Sequence, residues 1–128
     1  MSDIQLINLN GNPPVGHYSH VACAGGLAYL SGQLPITVIG EPLTNQPFEY
    51  QVAQVFDNID RVLASCGCDR RALIQVRVYL NDTGLWLQFN QLYANWLGEH
   101  RPARCVVPVA ELHYGLMIEI EAIAQLAH

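Results

Sequence analysis

Charged side chains interrupt two short apolar segments near the C-terminus. Arg104 lies in the first segment, 101–109 (RPARCVVPV), and Glu119 and Glu121 lie in the second, 117–124 (MIEIEAIA). A guanidinium can hold a carboxylate through two parallel hydrogen bonds, and a carboxylate beside it can accept or donate a proton. These residue types therefore predict a site that binds a small acid and performs acid–base chemistry. The simpler alternative is a salt bridge at the edge of a sheet.

Both segments are predicted to be β-strands, because they are short, rich in β-branched residues and bounded by Pro or Gly. Side chains alternate between the two faces of a sheet along a strand. Arg104 and Val106 should therefore share one face, while Cys105 points to the other. Glu119 and Glu121 should share the face that is opposite to the apolar core.

The rest of the sequence predicts the elements that position these strands. Gly25-Gly26 is typical of a two-residue hairpin turn, because both glycines can adopt positive φ. Pro47 can open a helix, Gly67 and Gly98 can end one, and Asp82 or Thr83 can cap one. In chain order, the predicted elements are a weak strand at 4–8, a hairpin at 21–31, a helix at 47–67, a strand at 74–80, a helix at 82–98 and the two strands described above.

The 128 residues predict a single domain spanning 1–128, and their composition excludes several classes of protein. A net charge of −5 argues against nucleic acid as a partner, because phosphate binding requires a basic face. No apolar run approaches the roughly 20 residues that span a bilayer, and no signal pattern opens the chain, so a cytoplasmic protein is predicted. Hydrophobic residues make up 51% of this short chain, which predicts that part of its surface is buried against another copy.

Metal-binding residue types occur, but their spacing does not predict a metal site. Cys66-Gly67-Cys68 has no second ligand pair at metal spacing, and His17 and His20 have no third ligand nearby. In the predicted compartment the four cysteines should be reduced thiols.

Chain order leaves the arrangement of the sheet open. Strand–helix–strand crossovers favour parallel strands with both helices on one face. Short-range pairing would join the last two strands as a hairpin and place Arg104 beside the two glutamates.

The sequence resembles the RidA/YjgF family of enamine/imine deaminases, formerly labelled endoribonuclease L-PSP. The resemblance covers nearly the whole chain, and its motifs are specific when taken together. In chain order they are GHYSH at 16–20, LSGQLP at 30–35, VYLND at 78–82, FNQLY at 89–93, PAR at 102–104 and IEIEAIA at 118–124.

The resemblance implies an α+β fold with a chorismate-mutase-like mixed sheet and two helices packed on one face. In this arrangement the last strand inserts between earlier strands, in place of the hairpin that chain order favours. Three subunits are implied to assemble into a barrel-like homotrimer, with a cleft at each interface.

The activity that the resemblance implies is hydrolysis of reactive 2-enamino and 2-imino acids to 2-keto acids and ammonia, without metal or organic cofactor. Arg104 would anchor the substrate carboxylate, and Glu119 would position the attacking water. Glu121 would be structural. The residues implied to contact the substrate are Tyr18, Ser31, Gly32, Asn90, Arg104 and Val106, with Arg104 and Asn90 from one subunit and Tyr18, Ser31 and Glu119 from the next.

Three departures from the family pattern are visible. Many members carry Cys where this chain has Val106, His17 replaces a usual Pro, and 113–115 (HYG) replaces a segment that often contains Leu-Pro. Cys105 should face away from Arg104, so it is not predicted to be a nucleophile. Two alternatives to the deaminase stay open. A non-catalytic small-acid-binding or regulatory protein would keep Arg104 without needing Glu119, and an endoribonuclease is disfavoured by the acidic balance.

Overall fold

The computed structural model describes residues 3–127, which form one six-stranded mixed sheet covered by two helices. The order of strands across the sheet is β1-β2-β3-β6-β4-β5, and every neighbouring pair is antiparallel except the parallel pair β4–β5. The helices are α1 (Phe48–Ser65) and α2 (Trp86–Leu97). The strands are β1 (Gln5–Ile7), β2 (Val21–Ala24), β3 (Leu27–Gln33), β4 (Leu73–Leu80), β5 (Ala103–Pro108) and β6 (Ile118–Gln125).

The last strand lies at the centre of the sheet, between β3 and β4. The hairpin between the last two strands is therefore wrong, and the inserted strand that the resemblance implied is confirmed. The inner face of β6, from Ile118 through Ile120 to Ala124, is almost completely buried, whereas β5 has no fully buried residue. A strand with one wholly apolar face is stabilised most by pairing on both sides, so β6 takes the centre and β5 the edge.

Both predicted helices form, and glycine ends each of them. Gly67 follows α1 with φ +73° and Gly98 follows α2 with φ +64°, in the left-handed region that favours glycine. Pro47 stands immediately before α1, as expected of a residue with no N–H to satisfy. The predicted cap at Asp82 is also present, but its carboxylate accepts the N–H of Gly84, so it caps a short 3-10 turn ahead of α2.

Aromatic side chains join the two helices above the sheet. Phe56 of α1 stacks parallel on Trp96 of α2, with ring centroids 4.2 Å apart. Arg70 spans both helices, because it donates to the Asp60 carboxylate and to the Trp96 carbonyl. Phe89 is fully buried beneath them. Neither of these two helices is long and apolar enough to cross a membrane.

Three buried polar residues hold loops in place, and burial of such groups requires hydrogen-bond partners. Asn58 of α1 donates to the carbonyls of Leu34 and Ile36 in the loop after β3. Gln51 accepts the N–H of Met117 at the start of β6. His20 accepts the Leu9 N–H on Nδ1, which leaves that nitrogen without a free lone pair for a metal. These contacts position the loops that border the cavity described below.

Candidate active site

The two faces of the sheet carry different parts of the candidate site. We call the side that packs against α1 and α2 the helix face and the other side the open face. Arg104 pairs with fully buried Val76, so it lies on the helix face. Glu119 pairs with Tyr79 of β4. Its two neighbours along β6, Ile118 and Ile120, are buried on the helix face, so Glu119 lies on the open face. Within one chain the sheet therefore separates Arg104 from Glu119.

A cavity of about 660 Å³ gathers four of the predicted site residues at the end of β3. Tyr18, Ser31, Gly32 and Glu119 all line it. Its outer wall is the loop that precedes β2, and its far side is the loop after β3 together with the segment that leads into β6. These four predicted residues are thus neighbours in one chain, as the resemblance implied.

Gly32 lies directly beneath the Glu119 carboxylate. A methyl carbon at this position would come within 2.5 Å of Oε2 of Glu119, closer than non-bonded atoms approach, and within 3.1 Å of Cδ, which is a tight contact. The register between β3 and β6 shifts between Leu30 and Gln33, so the strand is irregular at this point. The irregularity and the missing side chain together make room for the carboxylate over the backbone of β3.

The Glu119 carboxylate is half-buried and accepts no hydrogen bond from residues 3–127. Burial raises its pKa above the usual range for Glu, because the ionised form loses hydration. The charge of His113 lowers the pKa, and the neighbouring Glu121 raises it further. A carboxyl group whose pKa is raised and whose lone pairs are free can accept and return a proton more readily than an ordinary, solvated Glu.

Glu121 is held by the protein, in contrast to Glu119. The Tyr79 hydroxyl donates to Glu121 Oε1 at 2.5 Å, and Arg77 Nη1 lies 3.7 Å from the same oxygen. The hydrogen bond to this carboxylate raises the pKa of Tyr79 to about 12, so the phenol keeps its proton. These contacts agree with a structural role for Glu121.

Ser31 connects the cavity floor to the outer wall. Its hydroxyl donates to the Ser19 carbonyl at 2.6 Å, and its N–H donates to the His20 carbonyl. Tyr18, the residue before Ser19, is about half exposed and turned into the cavity wall. Because the hydroxyl of Ser31 is engaged with the wall, its direct effect is to fix the position of Tyr18.

The predicted carboxylate anchor has its own support on the helix face. Arg104 Nη1 donates to Asn90 Oδ1 of α2 at 2.9 Å, and the guanidinium lies 5.0 Å from the centroid of the Tyr93 ring. The other guanidinium N–H groups make no hydrogen bond within the described part of the chain. Arg104 is therefore held in one orientation with donors left over for a ligand. Val106 lies on the same face of β5, packed against the core.

Cys105 is exposed and lies on the open face, opposite to its neighbour Arg104, as strand alternation predicted. We expect Cys105→Ser to keep most of the wild-type activity, because no proposed contact involves the thiol. The measurement is the turnover of the folded Cys105→Ser variant. A second variant, Cys105→Val, separates the effect of side-chain polarity from that of side-chain size. Complete loss of turnover in both folded variants would contradict the assignment of the site to Arg104 and Glu119.

Sequence reasoning missed three residues of the site. Tyr93 lies one helical turn after Asn90, and this i,i+3 spacing could have placed both on the face toward Arg104. His113 and Tyr114 line the cavity beside Glu119, and Tyr114 has φ +61°, unusual for a residue with a side chain. The Tyr114 carbonyl accepts from Thr44 Oγ1 at 2.8 Å, which stabilises this turn. No local pattern predicts that contact, because 70 positions separate the two residues.

The raised pKa of Glu119 has a cost for stability that can be measured. A raised folded-state pKa means that ionisation opposes folding, fully so above that pKa and not at all below the unfolded value near 4.5. We expect Glu119→Gln to raise Tm by roughly 1–3 °C at pH 8, an advantage that fades as pH falls to 4. Thermal unfolding of both proteins across this range tests it, and Glu121→Gln, which loses an engaged carboxylate, is the matched control. An equal or lower Tm of Glu119→Gln at pH 8 would contradict the assignment.

The fold is that of a small α+β protein whose last strand is inserted into a mixed sheet, and its cavity ends at the Glu119 carboxylate. Comparison with known proteins assigns the family. The pattern of the endoribonuclease L-PSP family matches residues 10–126. A RutC family protein of Pyrococcus horikoshii is 36% identical over 115 residues, which is 90% of this chain and 91% of that protein.

Solved structures agree with this assignment. RidA from the Antarctic bacterium Psychrobacter sp. has a TM-score of 0.88 at 32% identity, covering 95% of this chain and 99% of that one. TdcF of E. coli, solved with bound serine, has a TM-score of 0.87 at 26% identity, covering 96% and 99%. The chain belongs to the RidA/YjgF family, and the resemblance stated from its motifs is confirmed.

Proposed function

We propose that this protein hydrolyses 2-imino acids, and the 2-enamino acids that tautomerise to them, to 2-keto acids and ammonia. The observation that carries the proposal is Glu119: a half-buried carboxylate with a raised pKa and no hydrogen-bond partner within residues 3–127, at the end of a cavity. A structural carboxylate would be engaged, as Glu121 is. Family membership supports the same reaction class.

Arg104 is the proposed anchor for the substrate carboxylate. Its guanidinium is oriented by Asn90 and Tyr93 and has N–H donors free for two parallel hydrogen bonds. The substrate carbon to be attacked then lies a fixed distance from the anchored carboxylate. Val106, on the same face two residues further along β5, offers an apolar contact for the adjoining part of the substrate.

Because the sheet separates Arg104 from Glu119 within one chain, the proposed site is shared between subunits. Arg104 and Asn90 would come from one subunit, and Tyr18, Ser31, Gly32 and Glu119 from the next, in a barrel-like homotrimer. Apolar side chains on the open face support association, since Leu6, Tyr29 and Val107 are 66%, 46% and 36% exposed in the single chain. In a closed head-to-tail ring, each copy contributes Arg104 to the site it shares with one neighbour and Glu119 to the site it shares with the other.

The reaction proceeds in two proton-coupled steps. Glu119, as the carboxylate, accepts a proton from water as the water oxygen attacks C2 of the protonated imine, whose nitrogen takes up the electron pair of the C=N bond and becomes an amine. The protonated Glu119 then donates to the amine nitrogen of the tetrahedral aminoalcohol, which becomes an ammonium group. As the C–N bond breaks, ammonia leaves with the bonding electron pair, and the hydroxyl gives its proton to the Glu119 carboxylate and becomes the keto oxygen. Glu119 then releases this proton to the solvent. One water is consumed for each keto acid and ammonia formed, and the raised pKa of Glu119 suits both transfers.

The test generates imino acids in place with an amino-acid oxidase and follows the release of keto acid. Catalytic amounts of the protein should accelerate release. Arg104→Lys keeps the charge but loses the planar fork, so it should lower kcat/KM by roughly 10–100-fold. Glu119→Gln should lower kcat by about 100-fold or more. If no imino acid is hydrolysed faster, or if both variants keep full activity, the proposal fails.

A small-acid-binding protein without catalysis is the second candidate, and the serine bound to TdcF of E. coli favours it. The two readings differ in what Glu119 does. A binding protein should bind a keto acid or amino acid equally well with Glu119→Gln, and no substrate should be turned over by either form. Calorimetry of ligand binding beside the turnover assay separates the two.

Endoribonuclease activity, which the family description mentions, receives no support from charge. The chain carries a net charge of −5, and Arg61 is the single Lys or Arg among the described residues that line the cavity. Arg61 is itself paired with Asp57, at 3.1 Å. A backbone of phosphates would find no basic track there.

A further inference from the structure

Two cysteine thiols lie against each other at the end of α1, on the helix face and away from the candidate site. The Sγ atoms of Cys23 and Cys66 are 4.0 Å apart. Cys23 belongs to β2 and is buried, whereas Cys66 is the first residue after α1 and is partly exposed. A disulfide requires about 2.05 Å between the sulfurs, so the pair needs an approach of about 2 Å.

The remaining cysteines are placed differently. Cys68 is partly exposed, and its Sγ contacts the Cys66 carbonyl at 3.7 Å and the Gln125 carbonyl at 3.6 Å. Only one residue separates Cys66 from Cys68, so a disulfide between them would close a small, strained ring. Cys105 lies on the open face of β5. Among the four thiols, Cys23 and Cys66 are therefore the pair best placed to join.

We propose that Cys23 and Cys66 are a dithiol that closes reversibly to an intramolecular disulfide when the protein meets a hydroperoxide. The Cys66 thiolate attacks the peroxide oxygen, forming a sulfenic acid and releasing the alcohol, or water from hydrogen peroxide. The Cys23 sulfur then attacks the Cys66 sulfur and the hydroxyl leaves as water. Two thiols lose two electrons and two protons, and one peroxide bond is reduced.

Burial sets the rate of this reaction and gives it a pH dependence. Removal from water raises the pKa of the Cys66 thiol, so little thiolate is present at neutral pH. The pair should therefore resist low peroxide at neutral pH and close faster as pH rises toward the Cys66 pKa.

Closure would tie β2 to the end of α1 across 43 positions of sequence. A loop of this length loses much conformational freedom in the unfolded chain when it is crosslinked, so the oxidised protein should be more stable. We expect a rise in Tm of several degrees, with about 15 °C as the ceiling.

The experiment uses the full chain with Cys105→Ser, which removes the exposed thiol on the other face. The folded protein is treated with hydrogen peroxide at pH 7 and pH 9, quenched in acid, alkylated under denaturing conditions and digested. We expect a crosslinked peptide joining Cys23 to Cys66, formed several-fold faster at pH 9 and reversed by dithiothreitol. Cys66→Ser should abolish the crosslink, whereas Cys68→Ser should keep it.

Three outcomes would overturn the proposal. The first is a crosslink between Cys66 and Cys68, and the second is oxidation of Cys66 beyond the sulfenic acid while Cys23 stays a thiol. The third is that no Cys23–Cys66 disulfide forms at either pH. A verified disulfide without a higher Tm would contradict only the expected stabilisation. None of these readouts depends on deaminase activity, so the test stands apart from the proposed function.

Discussion

Arg104→Ala and Glu119→Gln proteins, each nearly inactive alone, are expected to regain about a quarter of wild-type activity when they are unfolded and refolded together. One variant keeps an intact Glu119 half-site and the other an intact Arg104 half-site. In a ring that mixes the two at random, each intact half occurs with probability of about one half at every interface. The product of the two probabilities is the expected fraction of complete sites.

A matched control uses two lesions in the same half-site. Glu119→Gln refolded with Gly32→Ala should recover nothing, because every copy then carries a damaged cavity and no interface can have an intact one. Subunit exchange is verified by native mass spectrometry of differently tagged copies. Recovery at the level of the control, with mixing demonstrated, would mean that the site lies within one subunit or elsewhere.

Gly32→Ala should lower kcat by roughly 100-fold while leaving the fold intact. The added methyl carbon would stand 2.5 Å from Oε2 of Glu119, so the carboxylate must move by about an ångström or more. The position of Gly32 on β3 does not require a left-handed backbone, so alanine is compatible with the main chain there. Circular dichroism and kinetics on the same preparation separate the two effects.

A double variant makes the same prediction sharper. If Gly32→Ala acts by displacing the carboxylate, it should add little to Glu119→Gln, because both changes remove the same function. Gly32→Ala combined with Arg104→Lys should instead show nearly multiplied losses, since these residues act on different parts of the substrate. Multiplied losses with Glu119→Gln, or full activity of Gly32→Ala alone, would contradict this role.

Periodicity predicted most of the elements because each segment has a clear apolar face. The apolar residues of α1 recur at helical spacing and those of β6 alternate, because each element buries one side. The structure confirms that these apolar positions are buried. The chain order of strands is less informative, because each doubling of the sequence separation between two strands adds only about 0.6 kcal/mol of loop-closure entropy. The family motifs therefore predicted the central position of β6, whereas chain order alone predicted that β6 pairs with β5.

The candidate site likewise has features that the sequence predicted and features that it did not. Alternation along β5 and β6 predicted correctly that Cys105 turns away from Arg104 and that Glu119 leaves the core. The contacts that tune the site join distant segments, as when Thr44 holds the Tyr114 turn or Asn58 holds the loop after β3. Such contacts are set by three-dimensional packing, and no local spacing reveals them.

The central strand is also the last of the six described strands in chain order, and this order constrains how the sheet can form. Until residues 118–125 have been synthesised, β3 and β4 have no partner between them and each exposes an unpaired edge. Insertion of β6 then forms its pairings with β3 and β4 together. Pairings between strands far apart in sequence are slow to form. That single event completes the interior and places Glu119 at the cavity, so a nascent chain forms the candidate site only when its sheet is complete.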